Sequence, residues 1–180
     1  QIPIFYNHKN GSGYASGGDA TSATIFTGGY TDGPGTPLYP FGYGLSYTKF
    51  ALDHFEIEET EVPTDGKIIV SCTVSNKGTV SGDEVVQLYQ AFHGAHVVRP
   101  NKQLAGFKRV HLNAGETKKI TFNLDTAQLG YYDEEMQFVV EPGQLDIMVG
   151  TSSADLSFKE TIKLTGKKIC IAGKRSYTCE

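Results

Sequence analysis

The sequence predicts an all-β protein, an antiparallel β-sandwich preceded by a long extended arm rich in Gly and Tyr. Three observations predict it. Apolar residues alternate with a period of two through much of residues 51–164, as in strands with one buried face. Gly, Pro and Asn clusters break these runs at short intervals, and no stretch keeps a helical period over three turns. Composition also breaks near residue 50. The first 50 of the 180 residues hold ten of the 21 glycines, six of the ten tyrosines and only four of the 36 charged residues.

The arm comes first. Gln1–Lys9 opens with a short strand-like run, and residues 10–36 are Gly, Ser, Thr and Asp with scattered Tyr14, Ile25, Phe26 and Tyr30. Pro37-Leu-Tyr-Pro-Phe-Gly-Tyr-Gly-Leu-Ser-Tyr47 follows. Its Pro and Gly block helix and interior strand, whereas its rings are too many for a simply disordered chain. Such a segment is expected to lie along another surface through Tyr and Phe. If that surface belongs to other polypeptide, the rings form an open patch of the kind that marks an interaction site.

The strands follow. Ile68, Val70, Cys72 and Val74 point one way and Ile69, Ser71, Thr73 and Ser75 the other. Ile120, Phe122 and Leu124 repeat the pattern, as do Leu145, Ile147 and Val149, and Phe158, Ile162 and Leu164 with Glu160 as a charged exception. Val85–Tyr89 is a continuous apolar run apart from Gln87, expected of a strand covered on both faces. Turns are expected at Asn76-Lys-Gly78, Asn113-Ala-Gly115 and Glu141-Pro-Gly143. About seven strands in 114 residues (51–164) fit a fibronectin III or immunoglobulin-like sandwich, which needs roughly 100 residues. Residues 165–180 read as a basic polar tail.

Charge and chemistry narrow the function. A net charge of −4 argues against nucleic acid as a partner, and no apolar run reaches the roughly 20 residues that cross a bilayer. Gln1 and its neighbours show no signal pattern, so either a leader was removed or the chain is part of something longer. Cys72 reads as a small core residue. Cys170 and Cys179 are expected to pair in a short loop worth about 2–3 kcal/mol in the chain-entropy model, which implies an oxidising compartment; the alternative is two unpaired thiols on a frayed tail.

No cofactor or metal site is expected. His93-Gly-Ala-His96 offers two imidazoles without a neighbouring acid or Cys, and reads as loop histidines. Asp83/Glu84 and Glu134/Glu135 are adjacent in sequence, so in strands they face opposite ways and cannot flank a sugar. They read as solvated groups. Neither a nucleophile elbow nor a phosphate-binding Gly loop is present. Asn10-Gly-Ser12 is a candidate N-glycosylation site.

Several segments carry a resemblance. Gln1-Ile-Pro-Ile-Phe-Tyr-Asn-His-Lys9 and Pro37–Thr48 resemble the C-terminal region of glycoside hydrolase family 3 β-glucosidases and β-xylosidases. So do Val74-Ser-Asn-Lys-Gly78, Gly82-Asp-Glu-Val-Val-Gln-Leu-Tyr89, Arg99–Phe107, Asn113-Ala-Gly-Glu116, Val140-Glu-Pro-Gly143 and Val149-Gly-Thr-Ser-Ser153, which look like that family's fibronectin III-like domain. The resemblance covers residues 1 to about 164. It implies that residues 1–7 are the last strand of an α/β sandwich domain, 8–50 a connection running over it, and 51–164 the closing β-sandwich.

By the same resemblance, the catalytic aspartate belongs to a barrel domain outside these residues. No Asp-Trp nucleophile motif occurs, and the chain has no Trp. The implied partners are the catalytic barrel and α/β sandwich of the same enzyme, which would be secreted or periplasmic, with this chain bracing them. Two other readings compete. Strand 1–7 would join other copies by strand addition, or Tyr14, Tyr30 and Tyr43 would serve as sugar-stacking platforms of a carbohydrate-binding module. Tyr14, Tyr30, Asp32 and Tyr43 are the candidate sugar or domain contacts, and no catalytic residue is expected.

Overall fold

The computed structural model describes residues 6–7, 37–173 and 179. Eleven strands and one 3-10 turn, Thr126–Leu129, make up the regular structure of the described residues. Strands β1 (Phe50–Ile57), β3 (Lys67–Asn76) and β6 (Thr117–Asp125) form one antiparallel sheet in the order β1-β3-β6. Strands β2 (Glu61–Pro63), β4 (Gly82–His93), β5 (Gln103–Leu112), β9 (Gly143–Gly150) and β10 (Phe158–Thr165) form the second, in the order β2-β10-β9-β4-β5. Only the short β2–β10 pair in it is parallel. A third, small sheet has the order β11-β8-β7, from β7 (Tyr131–Tyr132), β8 (Phe138–Val140) and β11 (Ile169–Cys170).

Register puts the alternating residues where the period-two pattern places them. Val70 lies opposite Phe122 and Cys72 opposite Ile120 in one sheet. Leu88 lies opposite Val149, and Leu145 opposite Ile162, in the other. These side chains are nearly or wholly buried and form the core between the sheets. Burial of about 25 cal/mol per Å² of apolar surface is what holds such a sandwich together. Cys72 belongs to this core, and burial pushes its thiol up to about 11.

Strand β4 is buried on both faces, as its continuous apolar run predicts. Its register slips between Leu88 and Tyr89, where β5 carries the extra residue Ala105. Val86 and Leu88 enter the main core, while Tyr89, Ala91 and Met148 form a second cluster with Tyr6, Leu104 and Leu156. Met148, between the expected core positions of β9, is buried in this cluster, and its neighbour Asp146 is buried as well. Ser71 and Ser75, expected on the open face of β3, are also buried; Ser75 Oγ bonds Thr117 Oγ1 at 2.8 Å.

Two turns depend on buried or ionised side chains. Asn76 is 1% exposed and fully used. Its Nδ2 donates to the carbonyls of Val80 (2.8 Å) and Leu112 (3.1 Å), and its Oδ1 accepts from Thr48 (2.6 Å) and from the Gly78 N–H (3.0 Å). The Asn113–Glu116 turn has Gly115 at φ 75°, and the Glu116 carboxylate accepts from the Asn113 N–H at 2.7 Å. That bond, with those from Lys118 and the Asn113 side chain, holds the Glu116 pKa below its ordinary value.

Residues expected as a polar tail contribute to the fold. Ile169 and Cys170 pair with Val140 and Val139, and Ile171 is 6% exposed. Lys168 reaches Asp133 at 2.6 Å and Glu141 at 3.5 Å. The disulfide expected between Cys170 and Cys179 is not formed: both thiols are free. The reason is positional. Cys170 is exposed on β11, whereas Cys179 packs against Gly106 of β5, where an added Cβ would come within 2.7 Å of the Cys179 Cβ.

Candidate functional site

The candidate site is the outer face of the five-stranded sheet and the arm that crosses it. Pro40–Tyr43 is a tight turn in which the Tyr43 N–H donates to the Pro40 carbonyl (3.0 Å). Its third residue, Gly42, has φ 79°, a conformation that favours glycine. Space at Gly42 is also restricted, because a Cβ there would overlap the Gln87 carboxamide.

That carboxamide is the anchor. Gln87, 4% exposed, donates from Nε2 to the carbonyls of Gly42 (3.1 Å) and Thr151 (2.6 Å), and its Oε1 accepts from the Tyr89 hydroxyl (2.5 Å). The Ser153 N–H donates to the Phe41 carbonyl (2.8 Å). Aromatic contacts add to these bonds. Tyr6 stacks on Phe41 with centroids 4.4 Å apart and meets Tyr89 edge-on at 5.7 Å. Each such pair contributes about 0.5–1.5 kcal/mol beyond its burial. The Tyr6 hydroxyl also accepts from the Leu104 N–H (3.2 Å) at the sheet edge. Burial, with the Tyr6 hydroxyl nearby, pushes the Tyr89 phenol up to about 12, so it stays a neutral donor.

The other side of the arm is open. Leu38 is 86% exposed, Leu45 88% and Tyr47 fully exposed, while Tyr39 and Tyr43 stack on each other at 5.7 Å and remain 69% and 48% exposed. With Phe41, six large apolar side chains within eleven residues face solvent in whole or part. A run of this kind marks a docking surface.

Most of the buried or half-buried carboxylates of the described residues are bonded to cations or to backbone N–H groups. Burial alone would raise the Asp146 pKa, but hydrogen bonds from Lys159, Thr161 and His93 outweigh it and hold the carboxyl at about 2. The distances are 2.8 Å to Lys159, 2.6 Å to Thr161 and 2.8 Å to His93. His93 thus ends β4 as a carboxylate partner instead of sitting free in a loop. Asp83, expected to be solvated, is bonded by Arg109 and His111 and has its pKa lowered by them. Asp133 is lowered by Lys168 and by the backbone of Gln137 and Glu135. Glu84, also expected to be solvated, has its pKa raised by burial, and its Oε1 accepts from its neighbour's N–H at 2.8 Å.

Among the described residues no group of three His, Cys, Asp or Glu side chains is arranged to hold a metal. Asn10, Tyr14, Tyr30 and Asp32, and all of strand 1–7 except Tyr6 and Asn7, lie outside the described residues. Tyr43 lies within the open arm. Sequence reasoning missed Tyr6 and Gln87 as the arm's anchors. Gln87 alone left a signal, as the polar residue inside an otherwise apolar strand.

Comparison with known proteins places this architecture. The family model of the fibronectin type III-like domain matches residues 84–153. A periplasmic β-glucosidase of Salmonella typhimurium is 37% identical over 155 residues, 86% of this chain and 20% of that protein. A β-xylosidase of Formosa agariphila is 45% identical over 132 residues, 73% of this chain and 18% of its own. The crystal structure of a β-glucosidase from Listeria innocua in complex with glucose superposes with a TM-score of 0.81 at 34% identity, covering 92% of this chain and 22% of that one. The chain thus spans about a fifth of the length of the relatives it matches. Among the described residues no helix is long and apolar enough to cross a membrane. This chain carries a fibronectin type III-like domain and matches the C-terminal region of glycoside hydrolase family 3 β-glucosidases and β-xylosidases.

Proposed function

We propose that this chain is the non-catalytic C-terminal part of a secreted or periplasmic family 3 β-glycosidase, and that it braces the catalytic domains of the same polypeptide. In this reading residues 1–50 are the end of an α/β domain and its connection, and residues from about 50 onward form the brace. The whole enzyme would hydrolyse terminal β-D-glucosyl or β-D-xylosyl residues by a retaining double displacement, which uses two carboxyls about 5–5.5 Å apart. Asp83, Asp133 and Asp146 do not suit the acid/base member of that pair, which must bring a proton to the leaving group, because each is held ionised by hydrogen-bonded partners.

One observation carries the reading. The arm is fixed to the sheet on one side through Phe41 and Gly42 and offers Leu38, Tyr39, Leu45 and Tyr47 on the other. A rigid body with an apolar strap suits the placement of two domains that meet at a cleft, where an error of about 1 Å costs rate steeply. The isolated chain is expected to show no turnover on nitrophenyl β-glycosides. Replacing Tyr39, Leu45 and Tyr47 together by Ser in a full-length enzyme should lower its melting temperature and kcat/KM while leaving the isolated sandwich folded. Unchanged activity and melting temperature would refute the bracing role.

A further inference from the structure

Tyr6 stands before the arm and belongs to no strand of the sandwich, yet it meets the sandwich on three sides. Its face stacks on Phe41 at 4.4 Å with the ring planes 21° apart, and the Tyr89 ring meets it at 5.7 Å and 76°. Its hydroxyl accepts from the Leu104 N–H at 3.2 Å. Ala91, Met148 and Leu156 share the apolar cluster in which it sits, and Tyr89, wholly buried, is at its centre. Contact with a single ring would leave Tyr6 free to slide and turn. A stacked face, an edge-on ring and a directed hydrogen bond together fix both its position and its orientation.

The edge of the sheet explains the hydrogen bond. β5 is the last strand of the five-stranded sheet, so among the described residues one of its edges has no neighbouring strand. Backbone groups on such an edge need partners from elsewhere. The β4–β5 register slips at this point, with Leu88 opposite Gly106 and Tyr89 opposite Leu104. Two side chains meet the edge there: Tyr6 takes the Leu104 N–H, and Gln128 donates to the Ala105 carbonyl at 3.0 Å. The Tyr6 hydroxyl thus stands where the carbonyl of a further strand would accept. The socket is also tied to the arm. Tyr89 donates to Gln87, and Gln87 donates to the Gly42 carbonyl of the arm turn.

We propose that Tyr6 is the pin of a joint between the sandwich and the polypeptide that precedes it, and that the socket of Phe41, Tyr89 and Leu104 fixes where that polypeptide meets the sheet. The inference rests on the reading above, in which residues 1–7 end the α/β domain. Tyr6 is then a positioning residue, which acts by setting the place of the neighbouring domain against the sandwich. The joint differs from the open side of the arm. The arm offers Leu38, Tyr39, Leu45 and Tyr47 to a partner surface, whereas Tyr6 couples the two parts through the chain itself. Residue type follows from this role. Phe would supply the same ring contacts and leave the Leu104 N–H unmet, so Tyr both packs and orients.

Amide hydrogen exchange on the chain, followed by NMR, tests the pin. Tyr6→Phe should raise the exchange rate of the Leu104 N–H several-fold while Val86 and Leu88 in the core strand keep the parent rates. The joint itself is tested in a full-length enzyme that carries this region. Tyr6→Ala should lower kcat/KM on nitrophenyl β-glycosides several-fold and should split off the sandwich as a separate calorimetric transition. Tyr6→Phe, which keeps the ring, should recover most of the activity. An unchanged Leu104 exchange rate in Tyr6→Phe, or a Tyr6→Ala enzyme with parent activity and parent melting, would overturn the joint. The triple Ser replacement in the arm reports on bracing independently, so a failed joint and a failed brace are told apart.

Discussion

Asp146 is a nearly buried carboxylate with three partners, Lys159, Thr161 and His93. Its folded pKa lies at about 2, below the ordinary value of 3.8. A depressed carboxylate contributes stability that is complete above its unfolded value and is lost as pH falls through its folded value. The native chain should therefore lose about 2 kcal/mol from this group between roughly pH 5 and pH 2. Asp146→Asn removes the titration. Its unfolding free energy, measured by urea titration across that range, should be lower near neutral pH and should fall less steeply in acid. A variant with the native slope would place the acid sensitivity elsewhere. Gly42 is the other decisive position. Gly42→Ala sets a Cβ against Gln87 at φ 79°, and strain of this kind costs on the order of 1–3 kcal/mol. Limited proteolysis should then cut within residues 37–47 at a higher rate, while the sandwich itself stays resistant. Unchanged cleavage would mean that the arm is not held at this turn.

At the scale of elements, period-two alternation made β3, β6, β9 and β10 legible, because one face of each meets the core and burial dictates residue type there. The burial of Asp146 and Met148 on the other face of β9 was not legible, because nothing local shows that Tyr6 and Leu156 pack with Met148 or that His93, Lys159 and Thr161 gather on Asp146. The end of the chain was misread through composition. Ile169, Cys170 and Ile171 are three apolar residues among Lys and Gly, too short a run to announce β11, yet Ile171 closes on Gly130 and the small sheet. Ile171→Ala should destabilise the chain by about 3 kcal/mol, as large-to-small changes in a core do. Its thermal midpoint gives the test, and a shift under a degree would return residues 165–180 to a dispensable tail. At the candidate site the aromatic arm was legible as a patch, but its anchors were not. Gln87 and Gly42 are 45 residues apart, and only folding brings them together.

Over the whole molecule, two sheets enclose one apolar core, and the strapped arm gives the outside a second, smaller cluster around Tyr89. The titratable groups with lowered carboxylate pKa values serve that architecture, each tied to a cation or to backbone N–H groups. A scaffold with an open apolar strap answers to a partner surface. The central claim is that this partner is the catalytic part of the same polypeptide and that the scaffold holds it in place. The most direct measurement compares a full-length family 3 enzyme carrying this region with the same enzyme lacking residues 37–180, by kcat/KM on nitrophenyl β-glucoside and β-xyloside and by the rate of thermal inactivation. The account predicts that the shortened enzyme keeps its catalytic carboxylates yet loses most of its activity and inactivates many times faster. Equal activity and equal inactivation rates would contradict it.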